Sequence, residues 1–148
     1  ARLLDMGVEP YLLSSTLLGV VAQRLVRRIC THCQEGSRPS PELRQRYPQL
    51  SVLYRGRGCR FCRQIGYAGR LGVFELFRVD EKARAAVAQR RTSDELRRLA
   101  LAGGPPVSPG SSARAGMQTM RQDGLQKVQQ GLTTLEELDR VVPPEPST

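Results

Sequence analysis

Apolar side chains recur at a helical spacing near the beginning of the chain, at Leu13, Leu17, Val20 and Val21. This spacing places the four side chains on one stripe of a helix, and Pro10 suits the first turn of that helix. The following residues, 24–29, contain β-branched side chains among arginines and predict a short strand. We therefore expect one helix and one strand before residue 30.

A second apolar run, at residues 71–79, is rich in β-branched and aromatic side chains and predicts a buried strand. The glycines of residues 66–72 predict a turn that leads into it. Between the two predicted strands, residues 34–58 form a polar stretch with three prolines, in which residues 41–47 predict one short helix. This middle segment has few apolar residues, so we do not expect it to build a core of its own.

Capping signals predict two short helices directly after the second strand. Asp80 is a good N-cap for a helix over residues 81–90. Thr92 and Glu95 have the spacing of a capping box, which predicts a further helix that ends near Gly103.

Two more helices are predicted near the end of the chain. Residues 117–130 predict a helix for which Gly131 is the stop signal. Thr133 and Glu136 have the spacing of a second capping box, which begins the last helix. Three residues give this last helix its apolar face: Leu135, Leu138 and Val142.

Two segments have the composition of irregular chain. Residues 103–115 are rich in glycine, proline and serine and predict a linker. Residues 143–148 are proline-rich and predict a disordered tail. The order of predicted elements indicates an α+β fold with helices dominant at its end.

Composition narrows the class of protein. The chain has 148 residues, 39% of them hydrophobic, which is enough for a core of one domain or slightly more and excludes collagen and coiled coils. No apolar run approaches the ~20 residues that a membrane-spanning helix needs, and no secretory signal is visible. The chain opens with Ala1 inside an apolar pattern, so we expect it to have been cut from a longer protein.

Two residue types exclude whole classes of chemistry. The single histidine, His32, lies between two cysteines, which excludes a Ser-His-Asp relay elsewhere in the chain. A P-loop requires Gly-Lys followed by Ser or Thr, whereas Lys82 and Lys127, the two lysines, follow Glu and Gln. The chain therefore lacks a phosphate-cradling loop.

Positive charge is concentrated in one segment. The whole chain has 23 basic and 14 acidic side chains, a net charge of +9. Residues 24–70 contain eleven arginines and two acidic residues, and the rest of the chain is close to neutral. Such a segment is compatible with binding to a nucleic-acid backbone or to anionic lipid headgroups, although few aromatic residues are available for base stacking.

All four cysteines lie inside this basic segment, as two Cys-x-x-Cys pairs separated by 25 residues: Cys30, Cys33, Cys59 and Cys62. Two intervening residues let one tight turn aim both sulfurs at one point, and two such turns supply the four ligands of a structural zinc site. The alternatives are two disulfides, a redox-active pair, and a site in which His32 replaces one cysteine.

Three runs of residues resemble, in the same order, the C-terminal domain of secretion and pilus-assembly ATPases. They are residues 3–30 (LLDMGVEPYLLSSTLLGVVAQRLVRRIC), 58–76 (GCRFCRQIGYAGRLGVFEL) and 116–138 (GMQTMRQDGLQKVQQGLTTLEEL). The chain is most similar to the general secretion pathway protein E family, the type II secretion ATPases. Type IV pilus assembly ATPases are the alternative, and a zinc-knuckle module that binds nucleic acid is a second one.

The resemblance implies a particular fold and division of the chain. Residues 1–29 would be the tail of a RecA-like nucleotide-binding domain, and residues 30–62 a zinc loop formed by the four cysteines. Residues 63–79 would be the return strand, and residues 80–142 a C-terminal helical subdomain that contains the linker 103–115.

The resemblance also implies function. The parent protein would be a homo-hexameric ATPase that uses ATP and Mg²⁺, lies in the cytoplasm against the inner membrane of a bacterium, and contacts inner-membrane platform proteins but no nucleic acid. The zinc ion would be structural. Arg70 and Arg27 match family arginines that lie near the nucleotide or act in ATP hydrolysis. The chain alone is expected to be inactive, because the phosphate loop and the acidic motifs of the family would precede it.

Overall fold

The computed structural model of the protein describes residues 2–102 and 116–144. The described helices are α1 Arg2–Asp5, α2 Pro10–Thr16, α3 Pro41–Arg46, α4 Glu81–Ala88, α5 Ser93–Leu101, α6 Met120–Gln129 and α7 Leu135–Val141. The strands are β1 Gly19–Ile29, β2 Gln34–Ser37, β3 Leu53–Gly56 and β4 Tyr67–Arg78, and a 3-10 turn covers Arg60–Cys62. This mixture of helices and strands agrees with the predicted α+β class.

The chain divides into two compact units that alternate along the sequence. The first unit consists of Ala1–Ala22 and Glu75–Thr119, and the second of Gln23–Phe74 and Met120–Thr148. The long strands β1 and β4 pair with each other and contribute residues to both units. They run antiparallel, because Leu18 at one end accepts a hydrogen bond from Val79 and Cys30 at the other end donates one to Gly66.

In the first unit, α2 packs against α4. The Arg84 side chain of α4 donates to the carbonyl oxygen of Ser14 at 2.7 Å, and Ala83 and Ala86 are buried. The predicted cap is confirmed, since the Asp80 carboxylate accepts a hydrogen bond from the Ala83 amide. A mostly apolar cavity of about 390 Å³ lies within this unit.

In the second unit, α6 packs against α7. Its hydrophobic core joins these helices to the segment between the two cysteine pairs: Tyr47, Leu50, Val128, Leu135 and Leu138, with Leu43, Leu53, Leu125 and Val142 packed around them. Strands β2 and β3 pair antiparallel within the same segment. Residues 34–58 thus build no core of their own, as predicted. Their few apolar residues instead share one core with α6 and α7, a packing that the sequence did not indicate.

Two local predictions about the strands were wrong. The first helix ends at Thr16, and Val20 and Val21 lie on the exposed surface of β1 rather than on a helical stripe. Consecutive β-branched residues satisfy a strand that pairs with β4 better than a longer helix. Residues 67–72, predicted as part of a turn, already belong to β4, in which only Val73 is buried.

The capping signals were mostly read correctly. The capping box of Thr92 and Glu95 is present, and the short helix predicted at 41–47 is α3. The last helix begins one residue later than predicted, with Thr134 as N-cap instead of Thr133. The predicted linker, 103–115, and the last four residues of the predicted tail lie outside the described residues.

Candidate metal centre

The four cysteine sulfurs converge on one point of the second unit. All four Sγ atoms lie within 4.8 Å of one another, with separations of 3.9 Å for Cys30–Cys59, 3.8 Å for Cys33–Cys62 and 3.7 Å for Cys59–Cys62. In a tetrahedron with metal–sulfur bonds of about 2.3 Å, the sulfurs are about 3.8 Å apart. The donor set and its spacing therefore fit a four-coordinate zinc ion.

Local backbone geometry aims each pair of sulfurs. The first pair lies where β1 ends, in a turn closed by a hydrogen bond from the Cys33 amide to the Cys30 carbonyl. In the second pair, Cys59 is the N-cap of the 3-10 turn and Cys62 is its last residue, and two residues with left-handed backbone, Arg63 and Gln64, follow it. Both Cys-x-x-Cys turns, which we call the knuckles, are built from residues close in sequence, which is why the spacing alone predicted them.

Two glycines let the chain cross itself beside the cysteines. A Cβ on Gly56 would lie 1.9 Å from the carbonyl oxygen of Gly66, and Gly66 itself has a φ of +80°. No other residue type fits such a close approach of two backbone segments. The approach brings the Gly66 amide to 3.3 Å from the Cys62 sulfur.

Backbone N–H groups donate to the sulfurs and change their acidity. Burial raises the pKa of Cys62, but hydrogen bonds from the amides of Cys59 and Gly66 lower it more, to about 6. Burial raises the pKa of Cys33 to about 12, opposed by the amide of Gly58. A divalent metal bound between the sulfurs would favour the thiolate form of all four cysteines.

The structure bears on two of the alternative interpretations of the cysteines, the two disulfides and the site that includes His32. No disulfide joins any two of the four cysteines. His32 lies outside the cluster, because its ring stacks on Phe61 with the ring centroids 4.0 Å apart. The two aromatic rings occupy the same position in the two Cys-x-x-Cys turns and lie on the surface.

A buried carboxylate that the sequence analysis missed lies on the last helix. The Glu137 side chain has no exposed surface. Its oxygens accept hydrogen bonds from the Arg27 side chain at 2.8 and 3.0 Å and from the Arg27 amide at 3.0 Å. They also accept bonds from Arg140 at 2.7 and 3.0 Å. Burial raises the pKa of Glu137, but these donors lower it to about 2.

The two arginines singled out by the resemblance have different surroundings. The Arg27 guanidinium is bound to Glu137 and lies 4.2 Å above the centre of the Tyr67 ring. Arg70 lies exposed on β4, and its guanidinium forms no hydrogen bond or ion pair with the rest of the described chain. A role of either residue near a nucleotide stays a prediction.

The sequence contains only an indirect signal for Glu137. It stands at the third position of α7, where an acidic residue usually closes a capping box with the N-cap. Here Thr134 caps the helix, and the Glu137 carboxylate turns instead to the two arginines. Its partner Arg27 is 110 residues away in the chain, so no local pattern connects the two.

Comparison with known proteins defines the family. Residues 1–140 match the family described as Type II/IV secretion system protein, and the chain belongs to that family. The resemblance noted from the three sequence runs is thereby confirmed.

Individual relatives come from both branches of the family. The chain is 44% identical over 140 residues to the type II secretion system protein HxcR of Pseudomonas aeruginosa, covering 95% of this chain and 24% of that protein. It is 41% identical over 143 residues to the type IV pilus assembly ATPase PilB of Thermus thermophilus, with 93% and 15% covered. It is 41% identical over 144 residues to the type II secretion system ATPase E of Vibrio cholerae, with 95% and 26% covered.

The chain thus spans about a quarter or less of the length of these relatives. In the described residues, no helix is both long and apolar enough to cross a membrane.

Proposed function

We propose that this chain acts as the C-terminal part of the hexameric ATPase that powers type II protein secretion. In this proposal, residues 1–29 end a RecA-like domain, residues 30–62 form a zinc loop, residues 63–79 form the return strand, and residues 80–142 form the C-terminal helical subdomain. The family match over residues 1–140 and the similarity to secretion ATPases of Pseudomonas and Vibrio support it.

Zinc would have a structural role in this part. The observation that carries the proposal is the mutual spacing of the sulfurs of Cys30, Cys33, Cys59 and Cys62, which matches the edges of a zinc tetrathiolate. Four cysteines leave no open coordination position for a substrate or water, so the metal would hold the fold together rather than take part in a reaction.

The chain would contribute to ATP hydrolysis only within the longer protein. It contains no P-loop, so ATP and Mg²⁺ would bind to parts of the parent that it lacks. Arg70, whose guanidinium is unpaired among the described residues, would face the nucleotide. Arg27 would support the same site while bound to Glu137. A guanidinium can stack on a base or pair with a phosphate.

The parent protein would work in the cytoplasm at the inner membrane. There it would form a homo-hexamer and contact the platform proteins of the secretion system. The exposed arginines of residues 24–70 would support contact with anionic headgroups at that surface.

Two measurements on the purified chain test this proposal. We expect about one equivalent of zinc by elemental analysis and no ATP turnover. Zinc well below one equivalent would overturn the structural-metal role, and ATP hydrolysis by the chain alone would overturn its assignment as a part without a catalytic centre. A Cys59→Ser variant is the control for specific zinc binding.

Pilus assembly is the second candidate function, because the identity to PilB is close to that of the secretion ATPases. Two chimeras separate the branches: this chain would replace the matching segment of the Vibrio ATPase E or of the Thermus PilB. We expect secretion to be restored in the first and piliation to fail in the second. The reverse result would favour the pilus branch.

A further inference from the structure

The loop that begins α7 is attached to the same two strand ends that hold the cysteines. On β1, the Ile29 amide donates to the Leu132 carbonyl at 2.9 Å, and the Thr133 hydroxyl donates to the Arg27 carbonyl at 2.8 Å. Cys30 directly follows Ile29. The first Cys-x-x-Cys turn therefore continues from a strand end that is hydrogen-bonded to residues 132 and 133.

The beginning of β4, the second strand end, is hydrogen-bonded to the same loop before α7. Gly66 joins both knuckles, because its carbonyl accepts from the Cys30 amide at 3.0 Å and its amide donates to the Cys62 sulfur at 3.3 Å. Tyr67 follows it, and the Tyr67 hydroxyl is hydrogen-bonded to the Thr134 hydroxyl at 2.8 Å.

Glu137, on α7, provides a third link between this helix and the strand ends. Its carboxylate accepts hydrogen bonds from both the amide and the side chain of Arg27 and so binds α7 to the end of β1. The Arg27 guanidinium lies over the Tyr67 ring, so one side chain spans the two strand ends. Arg140 also donates to both oxygens of this carboxylate. We call Arg27, Glu137 and Arg140 the arginine clamp.

We propose that Glu137 is a positioning residue for the four-cysteine site: through the arginine clamp, the docking of α7 pre-organises the strand ends for metal binding. This inference rests on the proposed function, since it requires that the cysteines bind zinc. A site with ligands already in place binds its metal more tightly than one that must be ordered first. By linkage, bound metal then strengthens the docking of α7 by the same factor.

The burial of Glu137 makes the coupling specific. A carboxylate without exposed surface tolerates little displacement from its donors, because a buried charge that loses a partner is strongly destabilising. Glu136, the neighbouring residue, is exposed and offers a matched control with the same change of charge.

The test compares the zinc affinity of the full chain with that of Glu137→Gln, Arg140→Gln and Glu136→Gln. Zn²⁺ is titrated in competition with a chromogenic chelator, and circular dichroism confirms equal helix content. Coupling between sites commonly corresponds to factors of about 5 to 150, and we expect about a tenfold loss of affinity for Glu137→Gln. Arg140→Gln should give a smaller loss, and Glu136→Gln should bind like the unmodified chain.

Each outcome decides one question. Because the Arg140 side chain is 62% exposed, its replacement leaves the core intact and serves if Glu137→Gln does not fold. Equal affinities for the chain and its clamp variants, at one zinc per chain, would overturn the coupling and leave the metal site standing. A chain that binds no zinc would overturn the metal site and the coupling together.

Discussion

The Arg121 side chain donates a hydrogen bond of 2.8 Å to the Tyr47 hydroxyl and thereby joins α6 to the segment between the cysteine pairs. The same guanidinium binds the Asp139 carboxylate at 2.5 Å and the Val142 carbonyl at 2.6 Å, both near the end of α7. Only 11% of the Arg121 side chain is exposed. This largely buried cation connects α6, on which it lies, to Tyr47 and to the end of α7.

Tyr47→Phe tests the contribution of this bond to stability. The ring stays in the core while the hydroxyl is lost, so we expect the free energy of unfolding to fall by about 1.5 kcal/mol, as for a hydrogen bond to a charged group. Urea denaturation of the zinc-loaded chain measures it. Tyr54→Phe is the control, because the Tyr54 hydroxyl forms no hydrogen bond with the described residues. Equal stability of the two variants would show that the Arg121 bond contributes nothing.

Loss of the metal should loosen the last two helices as well as the cysteine loop. In a Cys59→Ser chain, one of the four sulfurs is missing, and we expect zinc to be lost. Because Tyr47 and Leu50 share a core with Val128 and Leu138, amide protection should then fall in α6 and α7 together with residues 34–58. Hydrogen exchange read by mass spectrometry measures this.

The first unit supplies the internal control for that experiment. Helix α4 packs against α2 and shares no residue with the core of the second unit, so its protection should change little. Unchanged protection of α6 and α7 in the zinc-free variant would show that the cysteine loop folds separately from them.

The sequence predicted features whose physical causes are local. A Cys-x-x-Cys turn, the Asp80 cap and the capping box of Thr92 and Glu95 each depend on residues within a few positions of one another. The family resemblance depended on three longer runs of residues, at 3–30, 58–76 and 116–138. These features account for the candidate metal centre and for the first residues of α4 and α5.

Features that depend on distant parts of the chain were not predictable in this way. Val20 and Val21 fit a helical stripe, but pairing with β4 makes them part of a strand, since tertiary contacts override weak local preferences. The Arg27–Glu137 bond and the packing of Tyr47 on α6 and α7 likewise join residues far apart in sequence. No spacing rule reveals such pairs.

Thr134 should be more important for stability than an ordinary helix cap. Its hydroxyl accepts a hydrogen bond from the Glu137 amide at 3.1 Å and also bonds to the Tyr67 hydroxyl at 2.8 Å. Thr134→Val keeps the shape and removes both bonds, so we expect a loss of about 2 kcal/mol, the cap and the second bond each contributing about 1 kcal/mol. Thr134→Ser retains the hydroxyl and should lose less in the same urea titration. A larger loss for serine would contradict this account.

Gly124→Ala sets helix propensity against packing. Alanine is favoured over glycine inside a helix by about 1 kcal/mol, so helix propensity alone would make the variant more stable. However, a Cβ at position 124 would lie 2.2 Å from Cδ1 of Leu138 on the facing helix, and Leu138 is fully buried. Overpacking of this kind costs about 1–3 kcal/mol. We expect a net loss of stability, measured by thermal unfolding.

A double-mutant cycle identifies the cause of that loss. Leu138→Ala alone should destabilise the core by about 2–5 kcal/mol, but it also removes the atoms that a Cβ on residue 124 would strike. In the Leu138→Ala background, Gly124→Ala should therefore stop destabilising and add the stability expected from helix propensity. Residues in direct contact show such non-additivity, whereas independent sites do not. Additive effects, or a higher melting temperature for Gly124→Ala alone, would mean that α6 and α7 are not in close contact at Gly124.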